Sequence, residues 1–309
     1  MKPFRKNVAI AIDGGGIRGV IVTRALARLE QELGQPVNRI FRLAVGTSTG
    51  SIISAGVGAG LTAGQMHELY VTLGHEIFRK TLRSRLWLLC KYRYPLGPIE
   101  AALREHIGEK KTGDFWSATP PTDVVITAYD LAENRTRFIK PWKAEYADWP
   151  VTQAVLASAS VPTFFPPIEG RYVDGGVGAY ANPCYIAAFE AVNFLGWEPA
   201  ETTLLSFGTG HFPAGLQPGQ AARFWPWQWL DPILGAFLQS TYDQQVQVVG
   251  TLFPGLDFRR FQVTLRENIG MDAADQMARL VQYGDELGQN LLNDETETIP
   301  DFRRIRPVA

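Results

Sequence analysis

Short apolar runs alternate along this chain with longer stretches of helical spacing. Residues 8–12 are apolar at every position and stop at Asp13-Gly14-Gly15-Gly16, which predicts a buried strand running into a glycine turn. From residue 17 to 33 the apolar positions recur with helical period, and Gly34 supplies a stop. Residues 42–45 predict a second short strand, and residues 51–58 open a helix of small and β-branched residues that can lie close against a sheet. Further strands are expected at 123–129, 136–139, 171–173 and 203–207, with helices at 63–79, 99–107, 152–158, 183–195 and 273–292. Strands that alternate with helices predict an α/β fold, with a mainly parallel central sheet covered by helices on both faces.

The chain has 309 residues, and no internal repeat or low-complexity linker divides it, so a single domain over 1–309 is expected. With 46% hydrophobic and 20% charged residues it has ample material for a core. A formal net charge of -1 gives no electrostatic argument for a nucleic-acid polymer as partner. Cys90 and Cys184 have neither metal-ligand spacing nor the pattern of a disulfide framework, which suits a reducing compartment. The N-terminal apolar run is too short for a signal-peptide core, and no stretch approaches the roughly 18 apolar residues of a spanning helix. A cytoplasmic protein is expected, with peripheral contact at the inner membrane left open.

The glycine runs carry the candidate chemistry. Gly14–Gly19 matches G-x-G-x-x-G between a strand and a helix, which raises a dinucleotide-binding reading. That reading needs an acid closing the next strand, whereas Glu30 and Glu32 still lie in the helix and the next strand ends in GTSTG. The same glycines have a second use: consecutive N–H groups at a helix start can hold an anionic oxygen, as acyl transfer requires. Gly46-Thr47-Ser48-Thr49-Gly50 is the nucleophile-elbow pattern, preceded by an apolar strand and followed by a small-residue helix. The plainer reading of that pentapeptide is a glycine-rich turn whose serine caps the helix; the upstream glycine run favours catalysis.

A serine hydroxyl needs a base. His67, His75 and His106 fall in predicted polar or amphipathic helices and read as surface residues. His211 follows the 203–207 strand and comes after Ser48 and Asp174, the chain order of an α/β-hydrolase triad. Asp174, at a predicted strand end and followed by two glycines, is the other candidate, although Asp-Gly is also a common turn.

Taken together, Asp13-Gly-Gly-Gly-Ile-Arg-Gly19, Gly46–Gly50 and Asp174-Gly-Gly176 resemble, in order, the three motifs of the patatin-like phospholipases and acyl hydrolases. Residues 157–167 and 204–210 resemble the family's flanking segments. The likeness covers about residues 8–210, leaving a helical extension over about 211–292 and a loose tail over 293–309. The resemblance implies a patatin-like three-layer α/β/α fold and a Ser–Asp dyad, with Ser48 as nucleophile and Asp174 as base. It implies Gly14, Gly15 and Gly16 as oxyanion-hole residues, and no metal or cofactor. Arg18 matches the motif arginine, with two readings: pairing with a substrate phosphate, or holding the loop. The implied substrate is a phospholipid, lysophospholipid or other long-chain acyl ester. Some stand-alone bacterial members of about this size are antiphage effectors switched on by a cyclic nucleotide. That brings in such an activator as a partner, although no residues here spell a nucleotide pocket. A Ser–His–Asp esterase using His211, and a non-catalytic lipid-binding module, are the rival functions.

Two segments lie outside the motifs. Residues 78–99 carry Arg79, Lys80, Arg83, Arg85, Lys91 and Arg93 without an acid until Glu100, interleaved with Leu82, Leu86, Trp87, Leu88, Leu89 and Tyr92. Such a segment suits an anionic bilayer or ordinary packing with solvated arginines. For Phe224-Trp-Pro-Trp-Gln-Trp-Leu230, core packing is the first reading and a lipid interface the second.

Overall fold

The computed structural model describes residues 1–86, 89–117, 121–213 and 215–297. Trp87 and Leu88 of the basic segment lie outside the described residues, as do the side chains of Arg83, Arg85 and Trp227. The strands are β1 (Asn7–Ile12), β2 (Leu43–Thr47), β3 (Asp123–Asp130), β4 (Arg135–Ile139), β5 (Tyr172–Asp174), β6 (Thr202–Phe207) and β7 (Asp257–Phe261). They form one seven-stranded sheet in the order β4-β3-β2-β1-β6-β7, with β5 added on β3. The pairs β1–β2, β1–β6, β2–β3 and β6–β7 are parallel, while β4 and β5 run antiparallel to β3. The mainly parallel sheet is as the alternation of elements implied.

The helices are α1 (Gly19–Leu33), α2 (Val37–Ile40), α3 (Thr49–Ala59), α4 (Ala63–Ile77), α5 (Leu82–Arg85) and α6 (Gly97–Ile107). They continue as α7 (Ala144–Ala147), α8 (Val151–Ala159), α9 (Cys184–Phe189), α10 (Leu230–Leu252) and α11 (Met277–Asn293). Alternation along β1 sets the layers, because successive side chains of a strand face opposite ways. Val8, Ile10 and Ile12 pack in the core built with α1, α3, α4, α6, α8 and α11. Ala9 and Ala11 pack with Val45, Leu204, α9 and α10 on the other face. Small alanines there let α9 lie close to the sheet.

Three expectations need correction. The C-terminal extension is not all helical, because it supplies β7, whose sequence DFRRF hides a strand behind two arginines. Arg259 and Arg260 are buried there because each is paired, Arg259 with Asp257 and Arg260 with Asp13. The tail is bonded as far as it is described: Glu295 donates its N–H to Asn290 O and Glu297 to Arg260 O, both at 2.8 Å. Residues 298–309 lie outside the described residues. The described tryptophans of the run are not core: Trp225 is 64% and Trp229 39% exposed.

Candidate active site

Ser48 stands between β2 and α3 with φ 57° and ψ −123°, a backbone conformation costing about 1–3 kcal/mol for a residue with a side chain. The flanking glycines make that turn possible. A Cβ at position 46 would run into the Gly50 carbonyl, and one at position 50 into the Ile12 carbonyl. The turn is fixed by the Ser48 N–H donating to Ser158 Oγ at 2.9 Å. Ser51 donates to the Ser48 carbonyl from its N–H at 2.9 Å and from its hydroxyl at 2.6 Å. The Ser48 hydroxyl is therefore not the helix cap, which leaves it available for chemistry.

Strand register brings Asp174 to the serine. Thr47, the last residue of β2, pairs with Thr127 of β3, and the next β3 residue, Ala128, pairs with Asp174 of β5. β5 thus continues along β3 where β2 leaves it, and Ser48 and Asp174 meet at that junction. Asp174 is buried; its N–H donates to Ser160 O at 3.1 Å, and Oδ1 accepts the Gly176 N–H at 2.7 Å. Oδ2 is buried with no hydrogen-bond partner among the described residues. Burial lifts the Asp174 carboxyl to about 6, against the lowering pull of the Ser48 hydroxyl and the Gly176 N–H. A carboxylate so placed is a stronger base than a solvated one while remaining ionised at neutral pH.

The glycine loop lies against the elbow, with Gly14 beside the Ser48 side chain. Its three amides are not equivalent. The Gly14 N–H donates to Ala181 O at 2.9 Å, so Gly14 anchors the loop rather than offering the donor expected of it. The N–H groups of Gly15 and Gly16 have no protein acceptor among the described residues. The carbonyls of the same peptide units are held: Gly14 O accepts from Thr209 Oγ1 at 2.8 Å, and Gly15 O from the Arg18 N–H at 3.2 Å. In a planar trans peptide the N–H points opposite to the carbonyl. These bonds therefore aim the Gly15 and Gly16 N–H groups away from the Thr209 side of the loop. Gly16 needs its missing side chain, since at φ 58° a Cβ would meet the Met271 carbonyl. The amino end of α3 adds its dipole at the same place.

Ser48 and Gly16 line a narrow crevice of about 80 Å³ whose walls include Ile17, Ile52, Leu69, Ile77, Phe164 and Phe165. Tyr70 also lines it and bonds Thr49, the residue after Ser48, through the threonine hydroxyl and carbonyl. No feature of the sequence marked Tyr70; only its α4 position opposite the elbow brings it there. His106, an exposed residue, also lines the crevice.

The remaining sequence candidates lie elsewhere. Arg18 and His211 line a separate polar cavity together with Asp13, Thr209 and Arg260. Arg18 Nε reaches Gly15 O and Nη1 reaches Gly210 O, each at 3.4 Å, so in this structure it braces the loop. His211 is tied by its backbone to Val263 and Leu265. Among the described residues no group of three or more His, Cys, Asp or Glu side chains comes together as a metal site.

The patatin-like phospholipase family model matches residues 10–188, more than half of the chain. An intracellular phospholipase A2 of Caenorhabditis elegans is 28% identical over 223 residues, covering 66% of this chain and 20% of that protein. A cGAMP-activated phospholipase of Pseudomonas aeruginosa is 29% identical over 222 residues, covering 68% of this chain and 64% of that protein. The chain thus spans less than two thirds of either relative. The crystal structure of VipD from Legionella pneumophila aligns over 94% of this chain and 67% of that one, with 12% identity and a TM-score of 0.48.

Proposed function

The chain belongs to the patatin-like phospholipase family, and from that premise we propose that it is a serine acyl hydrolase acting on fatty-acyl esters of phospholipids or lysophospholipids. The observation that carries the reading is the buried, unpartnered Oδ2 of Asp174 at the strand junction that also holds Ser48. Asp174 accepts the Ser48 proton as the hydroxyl oxygen attacks the ester carbonyl, and the Gly15 and Gly16 N–H groups hold the oxyanion. As the tetrahedral intermediate collapses, the C–O bond to the alcohol breaks and that oxygen takes the proton from Asp174. Water then attacks the acyl-enzyme, with Asp174 again as base, and the free fatty acid leaves.

The apolar crevice beside Ser48 supports a long acyl chain over a small ester. At about 80 Å³ it is narrow, so an entering chain must part its walls. An acyl-ester panel followed by mass spectrometry tests the reading, with Ser48→Ala as control. Wild type is expected to release fatty acid from phospholipid or lysophospholipid and Ser48→Ala none; equal release by both would sink it.

Peripheral membrane contact, from the cytoplasmic side of the inner membrane, finds support in the basic segment. Leu82 is 73%, Leu86 48% and Leu89 83% exposed among its arginines and lysines. No described helix is long and apolar enough to cross a membrane. The relatives named cGAMP-activated phospholipase favour a gated enzyme, switched on by a cyclic nucleotide; the antiphage role rests on the family resemblance alone. Phospholipid hydrolysis unaltered by a panel of cyclic di- and trinucleotides would remove that gating.

A further inference from the structure

The polar cavity lies at the carboxyl ends of β1, β6 and β7, where Asp13, Thr209, His211 and Arg260 reach it, and it holds about 350 Å³. Its place in the sheet has meaning of its own. Chain order runs outward from β1 through β2 to β3 and then restarts on the other side of β1 with β6 and β7. Open parallel sheets collect ligands outside the carboxyl ends of their strands where the order reverses. Ser48 uses the β1–β2 side, so the crevice at the β1–β6 reversal is unassigned.

Two guanidinium groups face this cavity. Arg260 is buried and grips Asp13 with Nη1 at 2.9 Å and Nη2 at 2.5 Å, while its Nε makes no hydrogen bond and has Glu297 at 3.5 Å. Arg18 has no carboxylate within ion-pair distance among the described residues, and its two carbonyl bonds are long at 3.4 Å. Burial pushes the Arg18 pKa down, and the nearby charges of Tyr242 and Asp13 only partly oppose that. Of the acids lining the cavity, Asp13 and Glu297 are both paired with Arg260, and Asp243 is exposed. An anion entering here meets the half-buried Arg18, and arginine matches phosphate oxygens geometrically.

We propose that this cavity is a binding site for a phosphate ester, its anionic oxygens set on Arg18, and that its occupancy controls the glycine loop. The coupling is through shared peptide units. Tyr242 reaches Gly14 O at 3.5 Å, Thr209 Oγ1 holds the same oxygen, and Arg18 holds Gly15 O. Those carbonyls fix the aim of the Gly15 and Gly16 N–H groups on the opposite side of the loop. A phosphate that draws Arg18 off the Gly15 and Gly210 carbonyls changes that aim. The control rests on the acyl-hydrolase reading; the binding does not. The phosphate has two sources, a soluble ester or the headgroup of the lipid.

Calorimetric titration of the full-length Ser48→Ala protein with inorganic phosphate and with dimethyl phosphate tests the soluble source, free of turnover. In a second arm, the wild-type KM for phosphatidylglycerol is compared with that for diacylglycerol of the same chains. Gln239→Trp and Gln247→Trp on α10 fill the cavity, and Asp243→Lys adds a cation at an exposed lining position. For a soluble ligand, each tryptophan variant weakens phosphate binding at least tenfold and Asp243→Lys tightens it. For a headgroup, soluble binding is absent, each tryptophan variant raises KM for phosphatidylglycerol at least tenfold, and KM for diacylglycerol is unchanged. Absence of soluble binding together with unchanged phosphatidylglycerol KM in folded variants overturns the site. A protein that binds phosphate but hydrolyses neither lipid keeps the site and loses the hydrolase.

Discussion

Asp13 and Asp174 are written alike and used differently. Each stands at the end of a strand before a run of glycines, each is buried, and each carboxyl is lifted to about 6 by burial. Asp13 gives both oxygens to Arg260, and its charge in turn raises the Arg260 pKa above the value that burial alone would allow. Asp174 spends one oxygen on the Gly176 N–H and leaves the other without a partner beside Ser48. The first carboxylate ties β1 to β7; the second is a buried charge whose desolvation only the Ser48 hydroxyl and the Gly176 N–H oppose. A buried charge without a cationic partner is a cost that a fold has no structural reason to keep, so it points to chemistry.

Replacing each carboxyl by its neutral amide breaks this comparison open. Asp174→Asn is expected to lower turnover on an acyl ester by a factor of about 10³ or more, since the proposed base is gone. Asp13→Asn strands Arg260 as a buried cation and is expected to cost about 3–5 kcal/mol in denaturant unfolding. Asp174→Asn should instead match or exceed wild-type stability at pH 8, because the amide has no charge to desolvate. The sign follows from linkage. A carboxyl whose folded pKa is raised from 3.8 to about 6 favours the folded state when protonated, and that contribution is lost as pH rises through about 6. The stability advantage of Asp174→Asn should therefore shrink as pH falls from about 6 towards 4, while kcat/KM of wild type falls over the same window. His211→Ala is expected to leave turnover at the wild-type level, as His211 lines the polar cavity and not the crevice of Ser48.

Much of this was legible in the chain, and what was missed has physical causes. The elbow could be read because its backbone tolerates only glycine at positions 46 and 50, and that requirement is written in single residues. The parallel sheet followed from apolar runs such as residues 8–12, buried on both faces. β7 escaped because pattern reading treats arginines as surface, and only the partners Asp13 and Asp257 make them internal. A run of three glycines does not show which N–H is spent; the acceptor for Gly14, the Ala181 carbonyl, is 167 residues away, from 181 less 14. The choice of Asp174 over His211 came from family resemblance, whereas its physical ground, the junction of β2 and β5 on β3, is a matter of register.

The central claim is that Asp174 alone activates Ser48. A fluorophosphonate reacts with an activated serine, and peptide mass spectrometry locates the adduct. The account predicts modification of Ser48 in wild type and in His211→Ala, and none in folded Asp174→Asn. Modification that survives Asp174→Asn and disappears in His211→Ala would contradict it.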